Sequence, residues 1–158
     1  ILILIVCVFW ILICMWRLNK KLPKPKLPKL NITRVFPASV PKEIRSLADK
    51  LLGPEIATAV LENSQVAMIP IGGKSLEFHA GAGDDAFERI QAEFTDDAYD
   101  ISKMPLGQGS VVVDVGANLG SFSLASFSHH PGARIFAFEP APITYIFLRW
   151  NLLANKVP

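Results

Sequence analysis

Cysteine is scarce in this chain, and the two cysteines that occur, Cys7 and Cys14, lie in the same apolar run at its start. A fold stapled by disulfides needs several cysteines spread along the chain, so the sequence excludes that class. Two helical turns apart, the two thiols would share one face of a helix, where we expect them to pack against lipid or a partner helix. They do not decide between a reducing and an oxidising compartment.

Charge and proline are absent from the segment Ile1 to Trp16. At about 1.5 Å per residue, a helix of this length would cover about 24 Å of a hydrocarbon core about 30 Å thick. The pattern predicts a transmembrane helix over residues 1–16, truncated at its start, with membrane lipid as its partner. The alternatives are a signal-peptide core, which is usually shorter, and a buried core helix, which is rarely apolar on every face.

Residues 17–40 are predicted to form a basic linker, in which repeated prolines between Lys20 and Leu30 favour an extended spacer. Basic residues directly after an apolar span favour the cytosolic side, so we predict a single-pass membrane protein with the rest of the chain in the cytosol. The sequon Asn31-Ile32-Thr33 leaves a lumenal placement open. No nucleic-acid partner is expected, because the net charge is only +2 and no aromatic residues are interleaved between Arg17 and Arg34.

Residues 41–109 show short helical and strand patterns that indicate an α+β region leading into a larger fold. The predicted elements are a helix beginning at Pro41 and ending before Gly53, a helix from Pro54 to Glu62, a hairpin of strands Val66 to Ile71 and Ser75 to Phe78 joined at Gly72-Gly73, and a helix capped by Asp84. The glycines and prolines in this region stand where helices end or strands turn.

Residues 110–158 change to an alternating pattern of strand, glycine turn, helix, strand and helix. The elements are a strand over Val111 to Val115, a helix over Leu119 to Ser128, a strand over Arg134 to Phe138 and a helix over Ile143 to Asn155. This order is the βαβα opening of a doubly wound, Rossmann-like α/β fold. Two parallel strands cannot bury themselves, so the fold class predicts further strands beyond this opening.

The turn after the first of these strands, Gly116 to Gly120, is called the glycine turn here. In an open α/β sheet, ligands lie beyond the carboxyl ends of the strands, and glycines let a cofactor approach the backbone there. Glu139 ends the second strand, where its carboxylate can accept hydrogen bonds from both hydroxyls of a ribose. The sequence therefore predicts a site for a ribose-bearing cofactor.

The spacing of the glycines separates two kinds of cofactor. A dinucleotide fingerprint starting at Gly116 needs glycines at positions 118 and 121, where Asn118 and Ser121 stand. A dinucleotide oxidoreductase is therefore disfavoured. S-adenosylmethionine has no phosphate and carries a sulfonium and an amino group, both of which suit a carboxylate such as Asp114.

The stretches VVDVGANLGSFSL and IFAFEPAPITYIFLRWNLLANKV closely resemble the FkbM-type methyltransferases. That family's pattern is an aspartate before a Gly-Ala-Asn-x-Gly turn, a Phe-Glu-Pro strand end and a helix with spaced asparagines. The resemblance covers about the last third of the chain. It implies a class I methyltransferase fold and S-adenosylmethionine as cofactor. The residues implied to bind it are Asp114, Gly116, Ala117, Asn118 and Gly120 on the methionine side and Glu139 at the ribose, while Asn151 and Asn155 are signature positions without a defined role.

The resemblance implies methyl transfer from the sulfonium, commonly to an oxygen, in which catalysis consists mainly of positioning. Neither the methyl acceptor, whether a small molecule, a glycan or a lipid, nor a catalytic base can be assigned from these residues. No metal site is predicted, because His129 and His130 lack a third ligand at metal spacing. The rival interpretation is a non-catalytic, membrane-anchored interaction protein with a partial Rossmann-like domain.

Overall fold

A computed structural model describes residues 2–6, 32–34, 39–71, 73–82, 85–95 and 99–158 of the 158-residue chain. In chain order the elements are β1 (Leu2–Val6), β2 (Ile32–Arg34), α1 (Lys42–Leu52), α2 (Pro54–Glu62), β3 (Ser64–Ile71), β4 (Lys74–Gly81), α3 (Ala86–Thr95), a 3-10 turn (Ile101–Lys103), β5 (Val111–Val115), α4 (Ser121–His129), β6 (Arg134–Phe138) and α5 (Pro142–Ala154). They form a mixed α/β fold with two three-stranded sheets.

The first sheet is parallel and has the strand order β1-β5-β6. Val111 is aligned with Leu2 on one side and with Arg134 on the other. Helix α4 connects β5 to β6, as the sequence predicts for a βαβ unit. The architecture is compatible with part of a Rossmann-like fold.

The prediction of a transmembrane helix over residues 1–16 is wrong where the structure describes them. Leu2–Val6 is a strand that pairs along the whole length of β5. A short aliphatic run suits a parallel strand as well as an apolar helix, and periodicity alone cannot separate the two. Residues 7–16 lie outside the described residues, and no helix in the described part of the chain is long and apolar enough to cross a membrane. These findings correct the predicted membrane localisation.

The second sheet is antiparallel and has the order β2-β3-β4. The predicted hairpin is confirmed and is longer than expected, because β3 and β4 pair from Ser64 opposite Gly81 to Ile71 opposite Lys74. Strand β2 lies within the segment predicted as a linker, of which residues 17–31 and 35–38 are outside the described part. The lead-in region and part of the predicted linker therefore form a second sheet together.

The predicted helices are confirmed, with boundaries shifted by one or two residues. Gly53, at a φ of 79°, separates α1 from α2, and Pro54 occupies the first turn of α2. Helix α4 begins at Ser121 rather than at Leu119, because Gly120 has a left-handed φ of 85° and cannot continue a helix. The predicted cap of α3, Asp84, lies outside the described residues.

One hydrophobic core joins the hairpin to α5. Trp150 is 2% exposed, and its ring stacks on that of His79 in β4 with the centroids 4.0 Å apart. Phe78, on the same strand, is fully buried in this core together with Ile44 of α1 and Phe87 of α3. Helix α5 thus packs against the antiparallel sheet as well as following β6, so the two sheets are connected through it.

Candidate functional site

The glycine turn has an unusual backbone, because three of its residues have left-handed dihedrals. The φ values are 77° at Gly116, 51° at Asn118 and 85° at Gly120. Glycine adopts this region without a steric penalty, and asparagine is among the few other residues that enter it routinely. The residue types of the turn are therefore those that its conformation requires.

The first half of the turn is held by the end of β6. The backbone N–H groups of Gly116 and Ala117 both donate to the carbonyl oxygen of Phe138, at 2.8 and 2.9 Å. The turn after β5 therefore lies directly beside the carboxyl end of β6, as the sequence predicts.

Glu139 stands between the turn and the start of α5. Its Oε2 accepts a hydrogen bond from the N–H of Asn118 at 2.9 Å, and its Oε1 accepts one from the N–H of Ala141, also at 2.9 Å. A carboxylate has about four acceptor positions, so each oxygen retains one for a further donor. The side chain is half-buried and its position is fixed by the backbone, which suits a ligand for neighbouring hydroxyls.

Asp114 is the next-to-last residue of β5, two positions before Gly116, and is only 4% exposed. Its Oδ2 accepts a hydrogen bond from the hydroxyl of Ser123, in the first turn of α4, at 2.6 Å. Burial raises the pKa of the Asp114 carboxyl; the hydrogen bonds from Ser123 oppose this shift, and the negative charge of Glu139 adds to it. A buried carboxylate beside a ligand-binding turn is a candidate functional group.

We expect Asp114→Asn to unfold at the same or a higher urea concentration than the unmodified protein at pH 7. In the folded state the pKa of the Asp114 carboxyl lies above its ordinary value of 3.8. The protonated carboxyl therefore stabilises the fold at low pH, and this stabilisation is lost as the pH rises through the folded-state pKa. The neutral amide removes this loss, and its oxygen can still accept the Ser123 hydroxyl. Urea unfolding at several pH values should therefore show a flatter pH dependence for the variant.

Ser123→Ala is the matched control for this experiment. It removes the hydrogen bond to the buried carboxylate, so we expect a loss of about 1.5–3 kcal/mol in the free energy of unfolding at pH 7. If Asp114→Asn were the less stable of the two variants, the ionised carboxylate would stabilise the turn, contrary to this prediction.

The second half of the turn is contacted by α5. The side-chain amide of Asn151 donates to the carbonyl oxygen of Leu119 at 2.9 Å. A Cβ placed on Gly120 would lie 2.6 Å from Cδ1 of Leu148, so α5 packs directly against the backbone there. Sequence reasoning gave Asn151 no role, because its partners are distant in the chain; its spacing of four residues from Asn155 is the signal that one helix face carries both.

Three curated methyltransferases are similar to this chain. The 31-O-demethyl-FK506 methyltransferase FkbM of Streptomyces tacrolimicus is 38% identical over 89 residues, which cover 56% of this chain and 33% of that protein. Methyltransferase sdnD of Sordaria araneosa is 43% identical over 76 residues, covering 44% of this chain and 29% of that protein. Methyltransferase 1 of Beauveria bassiana is 38% identical over 64 residues, covering 40% and 25%.

The chain thus spans between a quarter and a third of the length of these relatives. No family model matches it, and no solved structure matches it. The three relatives confirm the resemblance to FkbM-type methyltransferases that was recognised in the glycine turn and in the segment Phe138-Glu139-Pro140.

Proposed function

We propose that this chain, whose sequence belongs with the FkbM-type methyltransferases, binds S-adenosylmethionine at the glycine turn and is part of an enzyme that transfers its methyl group. The observation that carries the proposal is the position of Glu139, which is fixed to the turn by the N–H of Asn118 and retains acceptor positions. A ribose offers two adjacent hydroxyl donors, which suit these acceptors.

The two carboxylates indicate how S-adenosylmethionine would be oriented in the proposed site. Glu139, directly after β6, would bind the ribose, whereas Asp114, the next-to-last residue of β5, would lie near the methionine part. The negative charge of Asp114 would favour the cationic sulfonium and amino groups. A pyrophosphate fits less well, because the side chain of Asn118 stands where a dinucleotide needs bare backbone.

The residues of this chain would contribute binding and orientation. Bound S-adenosylmethionine supplies a methyl group that a nucleophile attacks in line with the bond to sulfur. Fixing donor and acceptor in that line makes a bimolecular reaction effectively unimolecular. We further propose an oxygen as the acceptor atom, because the relative from Streptomyces tacrolimicus is named for a 31-O-demethyl substrate.

We also propose that the complete domain is a doubly wound sheet of the class I methyltransferase type. In such a fold both faces of the parallel sheet are covered by helices. Phe136 and Phe138 lie on one face of β6 and are 49% and 56% exposed among the described residues. Two large aromatic side chains on a central sheet suit a face against which further helices pack.

The test of the proposed function is calorimetric titration of the full-length protein with S-adenosylmethionine and, separately, with NADH. We expect heat of binding from S-adenosylmethionine alone. Binding of NADH instead would assign the site to the dinucleotide class, and binding of neither compound would favour the non-catalytic interaction protein. Asp114→Asn, which is expected to remain folded, should bind S-adenosylmethionine more weakly if its charge contacts the cofactor.

A further inference from the structure

Two asparagines, Asn151 in α5 and Asn155 directly after its end, hold the outer edge of β4. Asn155 Oδ1 accepts the N–H of Glu77 at 2.9 Å, and its amide donates to the carbonyl of the same residue at 2.7 Å. Asn151 makes the same pair of hydrogen bonds with His79. Its Oδ1 accepts the His79 N–H at 2.6 Å, and its side-chain amide donates to the His79 carbonyl at 3.2 Å. Each side-chain amide thus replaces a peptide group of a neighbouring strand.

The spacing of these contacts follows from the geometry of a helix and a strand. Four residues of a helix rise about 6.0 Å, and two residues of a strand advance about 6.6 Å. Asparagines at positions i and i+4 at the end of α5, the second of them its C-cap, can therefore reach alternate residues of β4 at the same time. The pair Asn151 and Asn155 is matched to the pair His79 and Glu77 in this way.

Asn151 makes one contact that Asn155 does not. Its amide also donates to the carbonyl of Leu119 in the glycine turn, at 2.9 Å. The Asn151 side chain is fully buried, so water cannot replace a lost hydrogen bond without rearrangement of the core. A single side chain therefore connects the edge of the antiparallel sheet to the turn.

The glycine turn is fixed at both ends by different partners. Its first half is bound by the Phe138 carbonyl and the Glu139 carboxylate. Its second half, at Leu119, is bound by Asn151. The left-handed Asn118 donates its own N–H to Glu139 and is followed directly by Leu119, which Asn151 holds.

We propose that Asn151 is a positioning residue, which holds the second half of the glycine turn in its cofactor-binding shape by tying the Leu119 carbonyl to β4. The inference rests on the proposed function, since it names a residue that acts on the same site. Asn151 would act on binding through preorganisation, because a turn that is already rigid loses less conformational entropy when a ligand binds.

The test compares Asn151→Ala with Asn155→Ala in the full-length protein. The alanine at 155 removes the contacts to β4 and a hydrogen bond to the Asn151 carbonyl, but none to the glycine turn. The alanine at 151 also frees the Leu119 carbonyl. We expect amide hydrogen exchange at Asn118 and Gly120, measured without ligand, to accelerate in Asn151→Ala alone. The Ala57 amide of α2 serves as the internal reference, since general destabilisation would accelerate its exchange as well.

The second readout is the affinity for S-adenosylmethionine, which we expect Asn151→Ala to lower about five- to tenfold relative to Asn155→Ala. Equal exchange in the turn for both variants would overturn the proposal, and so would equal affinity. If the unmodified protein binds no S-adenosylmethionine, the proposed function fails and the exchange comparison alone decides the role of Asn151. If Asn151→Ala does not fold, the nearly isosteric Asn151→Leu, which fills the same volume but makes no hydrogen bond to His79 or Leu119, takes its place, with Asn155→Leu as its control.

Discussion

Gly120→Ala is expected to lower the free energy of unfolding by about 3 kcal/mol and to abolish binding of S-adenosylmethionine. Two costs add at this position. A side chain at a φ of 85° costs about 1–2 kcal/mol, and forcing an extra carbon into a packed region costs about 1–3 kcal/mol. The added Cβ would lie 2.6 Å from Leu148, which is 1% exposed and has little room to move.

Gly53→Ala and Gly109→Ala separate the two costs. Both glycines have a φ of 79°, and a Cβ at either position would have no neighbour within 4 Å. They should therefore show the dihedral cost alone in urea unfolding and leave cofactor affinity unchanged. If Gly120→Ala were no more destabilising than these controls, Leu148 would yield easily, and the close packing of α5 on the turn would not constrain the site.

Glu139→Ala is expected to weaken the binding of S-adenosylmethionine about 100-fold or more. The substitution removes the acceptor for the proposed ribose hydroxyls and also frees the N–H groups of Asn118 and Ala141. Hydrogen bonds to a charged group contribute about 1.5–3 kcal/mol each, so the loss of two corresponds to at least this factor in affinity. Calorimetry at fixed ionic strength measures the effect.

Glu139→Gln and Glu62→Gln complete this experiment. Glu139→Gln keeps one acceptor oxygen and should give an intermediate affinity, since its NH2 group must face one of the two backbone donors. Glu62→Gln removes a negative charge from the exposed end of α2 and should leave the affinity unchanged. An unchanged affinity in Glu139→Ala would show that the ribose does not bind at the end of β6.

The glycine turn and its flanking strands could be predicted from the sequence because their signals are local. A nearly continuous β-branched run such as Val111 to Val115 predicts a buried parallel strand. Glycine and asparagine in the turn indicate left-handed backbone positions, because they are the residues that adopt this region most readily. Glu139 was placed correctly beside the turn because the carboxyl ends of neighbouring parallel strands meet at one edge of a sheet. Its role as a ribose ligand stays a prediction.

The features that could not be predicted depend on partners far away in the chain. Leu2–Val6 is a strand only because β5 provides a parallel neighbour, more than 100 residues later. The burial of Asp114 under Ser123 requires the first turn of α4 to fold back over β5. Likewise, Asn151 obtains its role from His79 and Leu119, which tertiary packing alone brings together.

Asn151 and Asn155 have a further consequence, for the edge of the antiparallel sheet. Strand β4 is the edge of its sheet, and a bare edge offers unpaired N–H and C=O groups to strands of other molecules, which leads to aggregation. Asn151 and Asn155 bind these groups at His79 and Glu77, and an asparagine side chain cannot extend the sheet to a further strand. The helix that contacts the proposed cofactor site thus also blocks the pairing of β4 with a second molecule at these two residues.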